Sequence, residues 1–239
     1  QTLVCTFPDG YVPAYVLQSL YLTGFLPMAT AKPFVMGIGG GSGSGKSTIV
    51  KEILKQLGTE KVSVIQHDSY YKNRPELSFE ERTKINFDHP DSLETNLLVE
   101  HLNLLISGIN VEIPVFHHFT KYLRDSSTKK VESRPILIVE GILVLNDKEL
   151  RDLMNLKVFI DVPPDLRFIR RLKRDLSEHG RSVESVTKQY LATIRTMHEE
   201  YVEPSKIYAD VLIPESWSNR EAVNLLVSHL QSLQEKHFS

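Results

Sequence analysis

From Lys32 onward, short apolar runs alternate with longer stretches in which apolar positions recur every three to four residues. The runs are Phe34–Ile38, Val62–Gln66, Ile136–Val139 and Leu156–Asp161, with a further one at Asp210–Ile213 that ends on Pro214. The periodic stretches are Lys46–Leu57, Ser92–Ile106, Pro163–Ser177, Ser182–Tyr201 and Arg220–Leu233. Continuous apolar strands separated by amphipathic helices predict an α/β fold, a doubly wound parallel sheet with helices on both faces. Val111–Phe116 lies outside this alternation and predicts an inserted strand or hairpin. No repeat or low-complexity tract interrupts the pattern.

The first 33 residues differ from the rest. Gln1–Ala31 contains no Lys or Arg, and prolines and glycines interrupt any regular element. Without basic residues it fits neither a secretory signal nor a transit peptide. The expectation is an upstream or appended tail ahead of a start at Met28; the alternative is an arm whose aromatics dock on a neighbouring subunit. The predicted domain covers residues 34–235.

Composition adds boundaries. The chain has 239 residues, 41% hydrophobic and 24% charged, with a formal charge of −2. This balance argues against a nucleic-acid-coating role. Cys5 is the only cysteine, so no disulfide within the chain and no cysteine-based metal site is possible. No apolar run reaches the length of a membrane span, and a cytoplasmic location is expected.

Six of the twelve glycines fall between Gly37 and Gly45. The segment Gly40-Gly41-Ser42-Gly43-Ser44-Gly45-Lys46-Ser47 fits G-x-x-x-x-G-K-[ST] and sits between a strand and a helix. Glycines let successive backbone N–H groups turn around a phosphate, and the helix that follows presents its free amides to the same anion. Lys46 reaches the terminal phosphates, the Ser47 hydroxyl suits Mg²⁺, and Thr48 adds a second hydroxyl. A flexible linker is the competing interpretation, and the strand–loop–helix context opposes it.

A second acidic position for Mg²⁺ is supplied by Glu140, at the end of Ile136–Val139, where doubly wound sheets bind ligands. Asp68, after Val62–Gln66, should emerge on the same rim and suits deprotonation of an alcohol; its competing role is a turn or N-cap aspartate. Tyr70 and Tyr71 are candidates for the wall of the acceptor pocket. Arg167, Arg170, Arg171 and Arg174 share one helix face, with Phe168, Ile169, Leu172 and Leu176 on the other. Beside a phosphate loop this stripe predicts a mobile lid, at about residues 165–185, that brings guanidiniums to the transferring phosphoryl group. The nine histidines suggest no metal site. His117 and His118 should point to opposite faces of a strand, and His67 and His89 each stand near an aspartate.

These motifs together resemble the uridine–cytidine kinases, within the phosphoribulokinase/uridine kinase group, over roughly residues 33–230. The resemblance rests on Gly39–Ser47, His67-Asp68-Ser69-Tyr70-Tyr71, Asn86-Phe87-Asp88-His89-Pro90-Asp91, Val139-Glu140-Gly141-Ile142-Leu143, Arg170–Asp175 and Lys206-Ile207-Tyr208-Ala209-Asp210. It implies ATP as donor, Mg²⁺, a nucleoside acceptor, a β-hairpin lobe and a homotetramer. It implies Asp68 as general base on the ribose 5′-hydroxyl and Asp88 on the 2′- and 3′-hydroxyls. Arg171 and Gln189 would belong to the nucleoside side, with Tyr71 in its pocket, and Arg174 and Arg181 to the ATP phosphates or the closed lid. A carboxylate that accepts from two vicinal hydroxyls favours a ribose independently of any resemblance.

The sequence departs from the family where the base is recognised. Phe116 replaces a tyrosine, Lys121 stands where a histidine is expected, His179 replaces a lid arginine, and Glu215-Ser216-Trp217 replaces a glycine-rich turn. Lost hydrogen bonds to a base edge change discrimination strongly. The alternatives are therefore a sister kinase for another small alcohol, such as ribulose phosphate, pantothenate or nicotinamide riboside, and a nucleotide-binding pseudokinase. A GTPase switch is disfavoured because N-K-x-D is absent.

Overall fold

Five apolar runs form one parallel sheet in a computed structural model that describes residues 32–118, 120–215 and 219–237. The expectations for the tail through Ala31, and for the replaced turn at Ser216-Trp217, lie outside the described residues. In chain order the strands and helices are β1 (Phe34–Gly40), α1 (Lys46–Leu57), β2 (Val62–Gln66), α2 (Phe79–Thr83), α3 (Thr95–Ile106), β3 (Val111–His117), β4 (Leu123–Val131), β5 (Ile136–Glu140), α4 (Lys148–Asp152), β6 (Leu156–Asp161), α5 (Pro164–His179), α6 (Val183–Gln189), α7 (Arg195–Met197), α8 (Glu203–Ser205), β7 (Val211–Pro214) and α9 (Asn219–His237).

The sheet order is β2-β5-β1-β6-β7, every pair parallel, with β1 at its centre. Both faces are covered, so the strands are apolar on both sides rather than alternating. One face packs Ile49, Ile53 and Leu57 of α1 and Val223, Leu226 and Leu230 of α9 onto Met36, Ile38 and Ile138. The other packs Leu98, Leu102 and Leu105 of α3 onto Val35, Leu137 and Val139. The chain leaves β1 for the edge strand β2 and later returns through β5 to the gap between them. That gap opens at the C-terminal strand ends, the place where open α/β sheets hold ligands.

β3 and β4 form the separate antiparallel hairpin expected around Val111–Phe116, with a register break between Pro114 and Phe116. Arg124 ties it to the sheet. Its Nε donates to the Tyr71 carbonyl at 3.0 Å, and its Nη2 to Glu94 Oε2 at 2.6 Å and the Tyr70 carbonyl at 3.3 Å.

One expectation needs correction. The stretch Ser182–Tyr201 is not a regular helix: π turns at Tyr190–Ile194 and His198–Val202 interrupt it. α5 turns its polar stripe inward. Arg167, Arg171 and Asp175 are buried, while Ile169 and Leu176 are exposed. The helix lies against the phosphate loop, and a polar neighbour draws in the polar stripe.

Candidate active site

The loop from Gly40 to Gly45 needs glycine for its backbone. Gly40, Gly43 and Gly45 adopt φ values of +135°, +82° and +99°, in the region L side chains rarely enter. Gly41 and Gly43 also lie against Arg167, where a Cβ would come within 2.4 Å of its Nη1 and its carbonyl oxygen respectively. Lys46 folds over the loop, and its Nζ donates to the carbonyls of Gly40 at 2.9 Å and Gly41 at 3.1 Å. Burial pushes the Lys46 pKa down, opposed by the negative charges of Glu140 and Asp68.

The parallel register places Gln66 beside Glu140 at the strand ends. Glu140 is buried and accepts from Ser47 Oγ at 3.1 Å through both carboxylate oxygens, and from Gln66 Nε2 at 3.1 Å. A hydroxyl and a carboxylate converging beside a phosphate cradle are hard oxygen donors, the set that suits Mg²⁺.

These residues line a cavity of about 650 Å³ that also includes Thr48, Asp68, His118, Arg170, Arg171 and Arg174. Asp68 stands in a single 3₁₀ turn, His67–Tyr70, directly after β2. It also lines a smaller cavity of about 170 Å³ beneath the hairpin, with Gln66, Phe116 and His118. One carboxylate thus faces both the phosphate cradle and the hairpin pocket.

The acceptor side is aromatic. Tyr71 packs on Phe87, Phe116 and His118 with ring centroids 5.0, 5.2 and 5.4 Å apart. Tyr122 stacks on Phe87 at 5.5 Å, whereas Lys121 is exposed. The hairpin therefore offers Tyr122 where the sequence suggested Lys121. Tyr70 turns the other way, buried and bonded to His101 Nδ1 at 3.0 Å, and does not join the wall. Burial raises the Asp88 pKa, Arg171 opposes the rise and Asp68 adds to it. Tyr71 is pushed well up by burial, then by Asp68 and Asp88. Asp68, Asp88, Tyr71 and Arg171 thus share one electrostatic neighbourhood.

The basic stripe divides. Arg170, Arg171 and Arg174 line the cavity; Arg167 does not. Asp175, fully buried, gathers Arg171, Arg174 and Arg181. Arg174 donates to its Oδ1 from Nε at 3.1 Å and Nη2 at 2.9 Å, and Arg181 Nη1 to its Oδ2 at 3.2 Å. Arg171 Nε lies 3.6 Å from the same Oδ2. Arg171 also donates from Nη1 to Ser42 Oγ at 2.8 Å, linking this helix to the phosphate loop. Gln189 accepts from Arg171 at 3.3 Å and Arg181 at 2.7 Å, so its carbonyl is held by these arginines. Gly180, with φ +60°, ends α5, and Arg181 follows. Arg181, Gln189, Asp88 and Tyr71 stand in the wall of neither cavity.

The sequence pattern assigns no site role to Gln66, His118 or Asp175. The first needs strand register, the second the end of β3 at His117, which leaves His118 free of strand alternation. Asp175 had a visible signal in its spacing from Arg171 and its place next to Arg174. His117 instead pairs with Asp125. Among the described residues no cluster of His, Cys, Asp and Glu could hold a metal by itself, and no helix is long and apolar enough to cross a membrane.

His67 gives a pH signature. It is buried, with Nε2 3.1 Å from Thr95 Oγ1, and burial lowers its pKa from 6.5 to about 4. Between these values the unfolded chain binds the proton more readily, so stability is full above pH 6.5 and declines as pH falls towards 4. Urea unfolding at stepped pH should show this loss, with a shallower slope for His67→Gln.

The model of the phosphoribulokinase/uridine kinase family matches residues 35–221. The chain belongs to this family. As a member it is a P-loop phosphotransferase with an alcohol acceptor. A uridine kinase of Chloroflexus aurantiacus is 48% identical over 200 residues, covering 84% of this chain and 95% of the relative. A uridine kinase of Streptococcus thermophilus is 46% identical over 205 residues, covering 86% and 97%. Among solved structures, a putative fructose transport system kinase from Silicibacter sp. TM1040 has a TM-score of 0.62 at 20% identity, covering 86% of this chain and all of that one. Phosphoribulokinase from Rhodobacter spheroides has a TM-score of 0.58 at 17% identity, covering 78% of this chain and 71% of its own. At such identities these structures bear on the fold, which is that of the P-loop kinases.

Proposed function

We propose that this kinase transfers the terminal phosphate of ATP to the ribose 5′-hydroxyl of uridine or cytidine, forming UMP or CMP in pyrimidine salvage in the cytoplasm. The observation that carries this reading is Asp68, a carboxylate that lines both the cavity of the phosphate loop and the pocket under the hairpin. The uridine kinase relatives supply the acceptor class.

Ser47 and Glu140 would hold Mg²⁺, which when bound neutralises charge on the donor phosphates. Lys46, the Gly40–Gly45 amides and Thr48 hold the phosphate chain. Asp68 accepts the 5′-hydroxyl proton as the oxygen attacks in line, Arg174 faces the transferred group, and Arg171, with Gln189, serves the nucleoside side. Arg181 acts on the closed lid through Asp175 and Gln189. Asp88 accepts from the ribose diol, and Tyr71 with Phe87, Phe116, His118 and Tyr122 encloses the base. Phe116 brings no hydroxyl to the base edge, so the pocket reads shape there more than hydrogen bonds. A homotetramer, which the family resemblance implies, is expected by light scattering.

Two measurements test this reading. ADP release with Mg·ATP should be fastest with uridine or cytidine in a panel that includes a purine nucleoside, ribulose phosphate and pantothenate; turnover with a non-nucleoside alone would overturn it. Asp88→Asn should raise KM for ribonucleosides by about tenfold or more, because a carboxylate hydrogen bond is replaced by a weaker one. An unchanged KM would remove Asp88 from the ribose.

A further inference from the structure

Asp88 stands on the loop between α2 and α3, not on a strand or helix. The polar bonds inside this loop are short-range. Asp88 N–H donates to Asn86 Oδ1 at 3.2 Å, and Ser92 Oγ donates to the carbonyls of Phe87 at 3.1 Å and His89 at 2.6 Å. Such bonds fix the shape of the loop and leave its placement open. Past Asp88, the loop is pinned where Lys72 N–H donates to the Ser92 carbonyl at 2.8 Å.

Next to Asp88 the hold comes from far along the chain. His89 Nε2 lies 3.0 Å from the Tyr201 hydroxyl, and the two rings meet edge to face with centroids 5.0 Å apart. The other ring nitrogen decides the tautomer. Nδ1 accepts from Asp91 N–H at 3.1 Å, so the neutral ring carries its proton on Nε2 and donates it to Tyr201. Tyr201 is half-buried against the core and belongs to the π turn His198–Val202. Turns of this kind recur at functional sites. The same chain segment reaches the ribose side at its start as well. Gln189, which ends α6, accepts from Arg171, and the charge of Arg171 acts on Asp88.

We propose that Tyr201 is a positioning residue for the acceptor: through His89 it holds Asp88 where the ribose diol arrives. The inference rests on the reading of Asp88 as the carboxylate that accepts from the ribose. A carboxylate on an untethered loop is ordered only when the nucleoside binds, and that ordering is subtracted from affinity. The Tyr201–His89 bond supplies the order beforehand. Its effect falls on recognition of the 2′-hydroxyl, and the phosphate loop is untouched.

The test is equilibrium titration of the full chain with uridine and with 2′-deoxyuridine, which lacks only the 2′-hydroxyl. The unaltered protein should prefer uridine. Tyr201→Phe removes one hydroxyl and keeps the ring packing. It should lower the preference about three- to tenfold, as expected for one neutral hydrogen bond, with the ATP Kd unchanged to within about twofold. His89→Asn keeps an acceptor for Asp91 N–H and is too short to reach Tyr201. It should lower the preference by a similar factor, and the double variant should lower it no further, because both changes break one link. An unchanged preference in Tyr201→Phe, equal weakening of both nucleosides, or additive effects in the double variant would overturn the inference and leave the reading of Asp88 standing. No preference for uridine in the unaltered protein would overturn that reading and the inference with it.

Discussion

Asp68→Ala should lose about 10²- to 10⁴-fold in kcat while ATP binding stays near the level of the unaltered protein. Asp68 stands past the end of β2, outside the Ser47–Glu140–Gln66 cluster, and it contributes no hydrogen bond that organises the phosphate loop. Removing it takes away the proton acceptor and leaves the cradle, so single-turnover kinetics should show the loss in the chemical step. Equilibrium titration with ATP should be unaltered to within a few-fold. A variant that kept its kcat would show that the acceptor hydroxyl loses its proton elsewhere. A variant that lost ATP binding would make Asp68 part of the donor site.

Asp175→Ala should act on stability and turnover together. The carboxylate is fully buried and meets Arg171, Arg174 and Arg181, so its removal leaves converging guanidiniums without a counter-charge. Breaking a buried ionic group by removing one partner costs about 3 to 5 kcal/mol, which urea unfolding should detect. Arg171 and Arg174 then lose their fixed directions, and kcat should fall at least about tenfold because preorganised charge is what electrostatic catalysis requires. Asp165→Asn, on the exposed first turn of the same helix, is the comparison and should leave both quantities nearly unchanged.

Much of this was legible because the signals were local. Val62–Gln66, Leu156–Asp161 and Lys46–Leu57 coincide with β2, β6 and α1, since each is an apolar run or stripe bounded by turn residues. The phosphate loop was legible because a phosphate cradle demands glycine at fixed spacing. What escaped depended on partners distant in sequence. Periodicity showed that Arg167 and Arg171 share a face, and the phosphate loop suggested where that face turns; the close approach of Arg167 to Gly41 and Gly43 was not legible, because it depends on backbone distant in sequence. The π turns leave no mark in a 3.6-residue pattern. Tyr122, the one non-glycine residue with positive φ among the described residues (50°), reaches the aromatic wall through a turn whose conformation the hairpin register sets.

The central claim is that phosphate passes from ATP to the 5′-oxygen of a pyrimidine nucleoside. The direct measurement is ³¹P NMR of the product formed from uridine and Mg·ATP. The product should be a 5′-monoester, formed in step with ADP and lost with Asp68→Ala. ATP that stays intact, or that is hydrolysed to inorganic phosphate with uridine unchanged, would contradict it.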